Sequence, residues 1–291
     1  GAGHPPRDQF ERVERVELFP VDREQAPQQE RPRGQLYAPA NAAVVVAVTF
    51  GDRCGRALGH RPVRYGADPR TRTVDDVELR VGSDPASAAG HWLARRLRDA
   101  VRRRGSATLA VSGGSSAPPM FAALLREDVP WDQLTVWQVD ERVVPDDHAA
   151  RNAGQLRDLP ATVRPMPVTA ADLSAAARRY AATLPDRFDV VHLGLGDDGH
   201  TASWPPGDPV IDSVERCEVV GEFNGFRRMT LTPPVVNAAR ARLVLAPGAV
   251  KAPMVARWLL RDLDLPIDHV RRSGTWTFLD PAAAELLPTS G

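Results

Sequence analysis

The chain has 291 residues, enough for one large or two ordinary domains, and its 43% hydrophobic and 25% charged residues are the balance expected of a globular fold. Thirty-seven basic residues against thirty-seven acidic ones leave no net charge. No global field therefore gathers nucleic acid or an anionic membrane, and any bound anion must be held locally.

The longest apolar run, residues 42–50, is far shorter than the ~20 residues that span a bilayer, and the first residues show no signal-peptide pattern. A cytoplasmic, monomeric protein is expected, with its leading Gly1 read as an added or processed remnant. Two cysteines, Cys54 and Cys217, argue against a disulfide scaffold or a four-cysteine zinc site. Of the thirty-seven basic residues only Lys251 is lysine. A lysine retained against such a bias suits a position that needs a compact point charge, although chance retention explains it equally well.

Residues 1–75 are dense in Arg, Pro, Gln and Gly around one strand-like island at 42–50. They read as an N-terminal extension, largely irregular or a small subdomain, because such composition offsets the entropy of ordering poorly. From residue 76 to 291 the pattern is that of one domain in which short apolar runs alternate with helical periodicity. Residues 77–81 alternate as a strand, and Ser83-Asp84-Pro85 caps a helix whose apolar face is Ala86, Ala89, Leu93, Leu97 and Val101. Arg102-Arg103-Arg104-Gly105 closes it.

Further strands are predicted at 108–111, 134–139, 190–195, 243–246 and 275–279, and helices at 120–126, 172–184 and 249–261. Alternating strand and helix predicts an α/β fold, a mostly parallel sheet with helices on both faces. Ligands in such folds bind beyond the carboxyl ends of the strands.

Four of these ends are chemically unusual. Ser112-Gly113-Gly114-Ser115-Ser116 brings backbone N–H groups and hydroxyls together ahead of a helix, either as a phosphate cradle or as a plain turn. Asp140-Glu141-Arg142 and the later Asn152 offer a planar cation, a carboxylate and an amide, or else mark where the strand meets water. Gly196-Asp197-Asp198-Gly199-His200 sets an imidazole among glycines with Asp198 near enough to orient it. Lys251 lies where a helix begins, a poor place for a cation unless it faces an anion, and Arg228 precedes a strand-like Met229-Thr230-Leu231. His192, inside a strand, is read as structural. No HExxH, CxxC, EF-hand loop or GxSxG occurs.

The ordered set SGGS, DERxVPxD with a later Asn, GxGxDGHTAS, RMTLT and GxxK resembles the 6-phosphogluconolactonase family over about residues 77–287. That resemblance implies the three-layer fold shared with glucosamine-6-phosphate deaminases, no cofactor, no metal, and a sugar-phosphate substrate as the partner. It implies a phosphate site at Ser112, Gly113, Gly114, Ser115, Ser116, Arg142 and Lys251. It also implies a general base at His200 with Asp198 beside it, and a sugar pocket lined or supported by Asp140, Asn152, Gly196, Gly199 and Arg228. The expected reaction is hydrolysis of 6-phospho-D-glucono-1,5-lactone. Departures at Ser116-Ala117, Arg151 and Trp204-Pro205, and in the stretch 221–226, leave the exact sugar open, with Trp204 expected as a bulkier pocket wall. A lactonase acting on another sugar phosphate, an amino sugar phosphate isomerase or deaminase, and a non-catalytic sensor are the alternatives.

Overall fold

The computed structural model describes residues 76–261 and 264–287, together with the backbones of three strands that precede them. Those three are β1 (Val46–Gly51), β2 (Ala57–Tyr65) and β3 (Thr71–Val74), and the predicted strand island coincides in part with β1. They join antiparallel, in order, to β4 (Val77–Val81). The rest of residues 1–75 lies outside the described residues.

From β4 onward the predicted alternation holds. The chain runs through α1 (Pro85–Arg104), β5 (Ala107–Val111), α2 (Ala117–Leu125), β6 (Leu134–Gln138), β7 (Asp140–Arg142), β8 (Thr162–Arg164) and α3 (Leu173–Thr183). It continues with β9 (Val190–Gly194), β10 (Cys217–Phe223), β11 (Phe226–Leu231), α4 (Pro233–Ala238), β12 (Ala241–Leu245), α5 (Ala252–Leu259) and β13 (Thr275–Leu279). In the sheet order β4-β13-β12-β9-β5-β6-β8 every neighbouring pair is parallel.

Period-two alternation splits the strand side chains between two cores. Leu109, Val111, Leu134, Val136, Leu243, Leu245 and Phe278 pack under α1 and α2. Ala110, Trp137, Val139, Val191, Leu193, Val244 and Leu279 pack on the other face, against α3, α5 and a small sheet, β10-β11-β7. The result is the expected three-layer α/β sandwich.

Helix α1 ends as its sequence dictates. Asp84 accepts from the Ser87 N–H at 2.9 Å, Pro85 opens the first turn, and Gly105 takes the left-handed conformation with its N–H on the Val101 carbonyl. Two predicted helices differ in extent. Helix α2 begins three residues early, since Pro118 and Pro119 fall in a first turn that needs no N–H donors. The predicted helix 249–261 divides into a short 3-10 turn, Ala249–Lys251, and α5, whose first turn carries Pro253. The β10-β11 hairpin escaped the periodicity reading although its turn is legible: Asn224 and Gly225, at φ 49° and 79°, form the left-handed pair that Asn-Gly favours.

Candidate active site

Strands β12, β9, β5 and β6 are consecutive neighbours, so the loops leaving their carboxyl ends meet over one stretch of sheet. They enclose a cleft of about 210 Å³ lined by all five residues of the Ser112–Ser116 loop, Asp140, Arg142, Asn152, Gly196, His200, Arg228 and Lys251. Of the predicted site residues only Asp198 and Gly199 do not line it, and both support it from behind.

Asp198 Oδ1 lies 2.5 Å from His200 Nδ1 and accepts the His200 backbone N–H at 3.0 Å. Burial raises the Asp198 pKa, but the backbone and imidazole hydrogen bonds and the charge of His200 outweigh it and hold the carboxyl below its usual range. Asp198 is therefore a carboxylate at neutral pH and accepts a hydrogen bond from Nδ1–H. Among the described residues nothing hydrogen-bonds Nε2.

Two glycines make this geometry possible. A Cβ on Gly196 would sit 2.0 Å from His200 Nδ1, and Gly199 adopts φ +85° directly over the Leu265 side chain.

The Asp-Glu-Arg segment reaches the cleft because the chain changes sheets after β6. Strand β7 pairs with β11, which puts Arg142 directly opposite Arg228. Two like charges facing each other across a ladder are unfavourable unless an anion lies between or beside them. Asp140 supplies only part of this, its Oδ2 lying 3.9 Å from Arg228 Nη1 while accepting from Ser203 Oγ at 2.8 Å. Burial pushes the Asp140 carboxyl up, opposed by Ser203, Arg142 and Arg228. Arg142 Nη1 donates to the Ala150 carbonyl at 2.8 Å and to Asn152 Oδ1 at 2.7 Å. Asn152 also fills the space in front of Gly113, where a Cβ would lie 2.0 Å from its Oδ1. Among the described residues Ser112 Oγ and Arg142 Nε, both on residues that line this cleft, are buried without a hydrogen-bond partner.

Glu141, between the two predicted residues Asp140 and Arg142, was missed as a functional position. Wholly buried, it accepts the N–H groups of Arg142, Asn152 and Ala153, each at 2.8 Å, and Gln138 Nε2 at 2.7 Å. Arg151, noted only as a departure, neutralises it from 3.3 Å and also meets Asp146 at 3.1 Å. This pair anchors the loop that carries Arg142 and Asn152.

Phe223 was also missed. Its ring packs edge-on against His200 with centroids 4.9 Å apart, lies 5.3 Å beneath the Arg228 guanidinium, and its carbonyl accepts from Arg228 Nε.

The structure corrects the expectation for Trp204. It is fully buried, donates through Nε1 to the Leu231 carbonyl at 2.8 Å, and does not line the cleft. Its bulk belongs to the core because the Thr201–Trp204 turn folds it inward. Arg228, which a solvated reading would expose, is buried.

Comparison with known proteins identifies the family. The family model for glucosamine-6-phosphate isomerases/6-phosphogluconolactonase matches residues 82–279. A 6-phosphogluconolactonase of Streptomyces coelicolor is 34% identical over 239 residues, covering 70% of this chain and 91% of that protein. The 6-phosphogluconolactonase structure from Trypanosoma brucei superposes with a TM-score of 0.63 at 27% identity, over 74% of this chain and all of that one. The Shewanella baltica structure of the same name gives 0.65 at 25%, over 71% and 99%. With the family model, these relatives and the shared fold in agreement, the chain belongs to the glucosamine-6-phosphate isomerase/6-phosphogluconolactonase family and is a member of its 6-phosphogluconolactonase branch.

Proposed function

We propose that the chain hydrolyses 6-phospho-D-glucono-1,5-lactone to 6-phosphogluconate, with His200 as the general base. The observation that carries this reading is an imidazole held through Nδ1 by a carboxylate, with Nε2 free, in a cleft that also holds Arg142, Arg228, Lys251 and the unpartnered Ser112 hydroxyl. His200 Nε2 takes a proton from water as the water oxygen bonds to the lactone carbonyl carbon. The tetrahedral oxyanion then collapses, the bond from that carbon to the ring oxygen breaks, and the ring oxygen receives the proton back from Nε2. Asp198 keeps the imidazole in the tautomer that presents a lone pair to water and stabilises the imidazolium between the two transfers. Arg142, Lys251 and the Ser112–Ser116 loop hold the phosphate, whose remote binding energy fixes the carbonyl in reach. The reaction written this way calls on no metal or cofactor.

Arg142 after Asp140-Glu141 and Thr201-Ala202-Ser203 after the Asp198-Gly199-His200 run favour the lactonase over the isomerase or deaminase alternative, whose pattern has an aromatic and an Asn-Glu-Pro stretch there. Seating Trp204 in the core removes the main reason for expecting a reshaped sugar pocket. The test is proton release at controlled pH on freshly made lactone, with spontaneous hydrolysis subtracted. His200→Ala should lower kcat by roughly 10²-fold or more with KM little changed. Wild-type turnover in that variant, or no acceleration by the folded wild type, overturns the proposal.

A further inference from the structure

At the opposite end of the sheet from the cleft, a second cavity of about 250 Å³ opens where β12 begins, beside the last turns of α1 and the approach to β9. Its charged wall is Arg96, Arg103, Arg104, Arg187 and Arg240, with Asp99 and Asp189 the only carboxylates. The carboxylates are already engaged. Asp189, with its side chain 8% exposed, takes Arg104 at 2.5 Å and Arg240 at 3.3 Å on Oδ1, and the Thr108 N–H at 2.9 Å and hydroxyl at 3.2 Å on Oδ2. Asp99 pairs with Arg102, outside the wall. Among the described residues no carboxylate comes within ion-pair distance of Arg96, Arg103 or Arg187.

The helix dipole accounts for Arg103 and Arg104 in the last turn of α1. It does not account for Arg96, two turns earlier, or for Arg187 and Arg240, which come from two other connections. Two of these guanidinium groups rest on one protein hydrogen bond or ion pair each, and a third stacks on two indole rings. Arg187 Nε donates to the Ala238 carbonyl at 2.9 Å, Arg240 Nε rests on Asp189, and Arg96 stacks 5.0 Å over Trp92 and 5.5 Å from Trp276. The Nε contacts of Arg187 and Arg240 leave their terminal nitrogens without a protein hydrogen bond among the described residues, and all three side chains line the cavity, a set of planar forks that suits bidentate binding of phosphate oxygens. Positive charge predominates, five arginines against two carboxylates: Arg96 is held below its usual pKa by burial and by Arg95 and Arg103 against the pull of Asp99, and buried Arg242 nearby is lowered to about 10 by burial, Arg271 and Arg187.

We propose that this basal cavity is a second anion site, taking a small, multiply charged phosphate or pyrophosphate group and independent of the catalytic cleft. Its volume falls below the roughly 300–1,000 Å³ of drug-sized sites, which fits a compact anion rather than a macromolecule.

Inorganic pyrophosphate is the probe, titrated calorimetrically into the full chain at fixed ionic strength. Because the cleft also attracts phosphate, the titration is run on Arg142→Ser/Lys251→Ser, with and without the added changes Arg103→Ser and Arg187→Ser. Both basal side chains are exposed, so those changes leave the fold intact. The expected result is saturable binding by the cleft variant, weakened tenfold or more by the basal changes, while Arg103→Ser/Arg187→Ser alone keeps full lactone turnover. Absence of binding in the cleft variant, equal binding with and without the basal arginines, or displacement by chloride at matched ionic strength overturns the proposal.

Discussion

Replacing Gly196 by alanine perturbs the His200–Asp198 pair with a single methyl group. The backbone at Gly196 is not in the left-handed region, so alanine is tolerated by the main chain. The new Cβ would lie 2.0 Å from His200 Nδ1 and 2.6 Å from Asp198 Oδ1, whereas ordinary contact begins near 3.4 Å. The imidazole must therefore retreat by about 1.4 Å, the difference of those two distances. A displacement of about 1 Å at a reacting group is enough to cost on the order of 10²-fold in rate. The ring is the end of a partly exposed side chain and can swing aside, so little of the strain reaches the fold. Gly196→Ala is expected to lower kcat by about 10²-fold, with KM changed less than threefold and a thermal midpoint within about 3 °C of wild type, since surface-type changes cost little stability. Gly154→Ala, with nothing within 4 Å of its new methyl, is the control and should retain turnover. Stopped-flow proton release on the lactone, with a thermal melt on each sample, measures all of this. Wild-type kcat in folded Gly196→Ala would refute the idea that the Nδ1–Asp198 contact is needed in its observed geometry.

Three further outcomes follow from buried groups. Arg151→Met leaves the wholly buried Glu141 carboxylate without its cation, at a cost of about 3 kcal/mol, and Arg151→Met/Glu141→Gln should recover part of it; urea unfolding decides, and a loss under about 0.5 kcal/mol contradicts the assignment. His192 is fully buried in β9, neither ring nitrogen meets a partner in hydrogen-bond geometry among the described residues, and burial, opposed by the nearby Ser112 backbone, pushes it down to about 4. Between pH 6.5 and 4 the unfolded chain then holds the extra proton, so stability falls as pH falls, by up to about 3 kcal/mol, and His192→Leu should remove that part of the slope in pH-dependent urea titrations. Burial raises the Cys217 thiol to about 12, so a thiol reagent at pH 8 should label Cys217 only in denaturant, as peptide mass mapping would read; labelling in the native protein contradicts its burial.

Much was legible in the sequence because the signals were local. Asp84-Pro85 and Gly105 mark the ends of α1 by their own backbone preferences, and the short, nearly unbroken apolar runs of β5, β6, β9 and β12 follow from burial on both faces of a parallel sheet. The glycines at 113, 196 and 199 announce backbone that must lie close to something, and the run from Asp198 to His200 carries its dyad within three residues. What was not legible depends on contacts between distant segments. That Arg228 faces Arg142 is a matter of β11 pairing with β7, a register that hydrophobic pattern does not specify in a three-residue strand. That Arg151 belongs to Glu141, that Trp204 belongs to the core and that Phe223 braces His200 are likewise set by how loops fold over the sheet. The basal arginines lie far apart in sequence, from 96 to 240, and become one charged wall only because α1 ends where β9 and β12 begin side by side. Residue type and spacing decide which chemistry a chain can carry, but long-range pairing decides which charges share a low-dielectric space, and there their interaction is strongest.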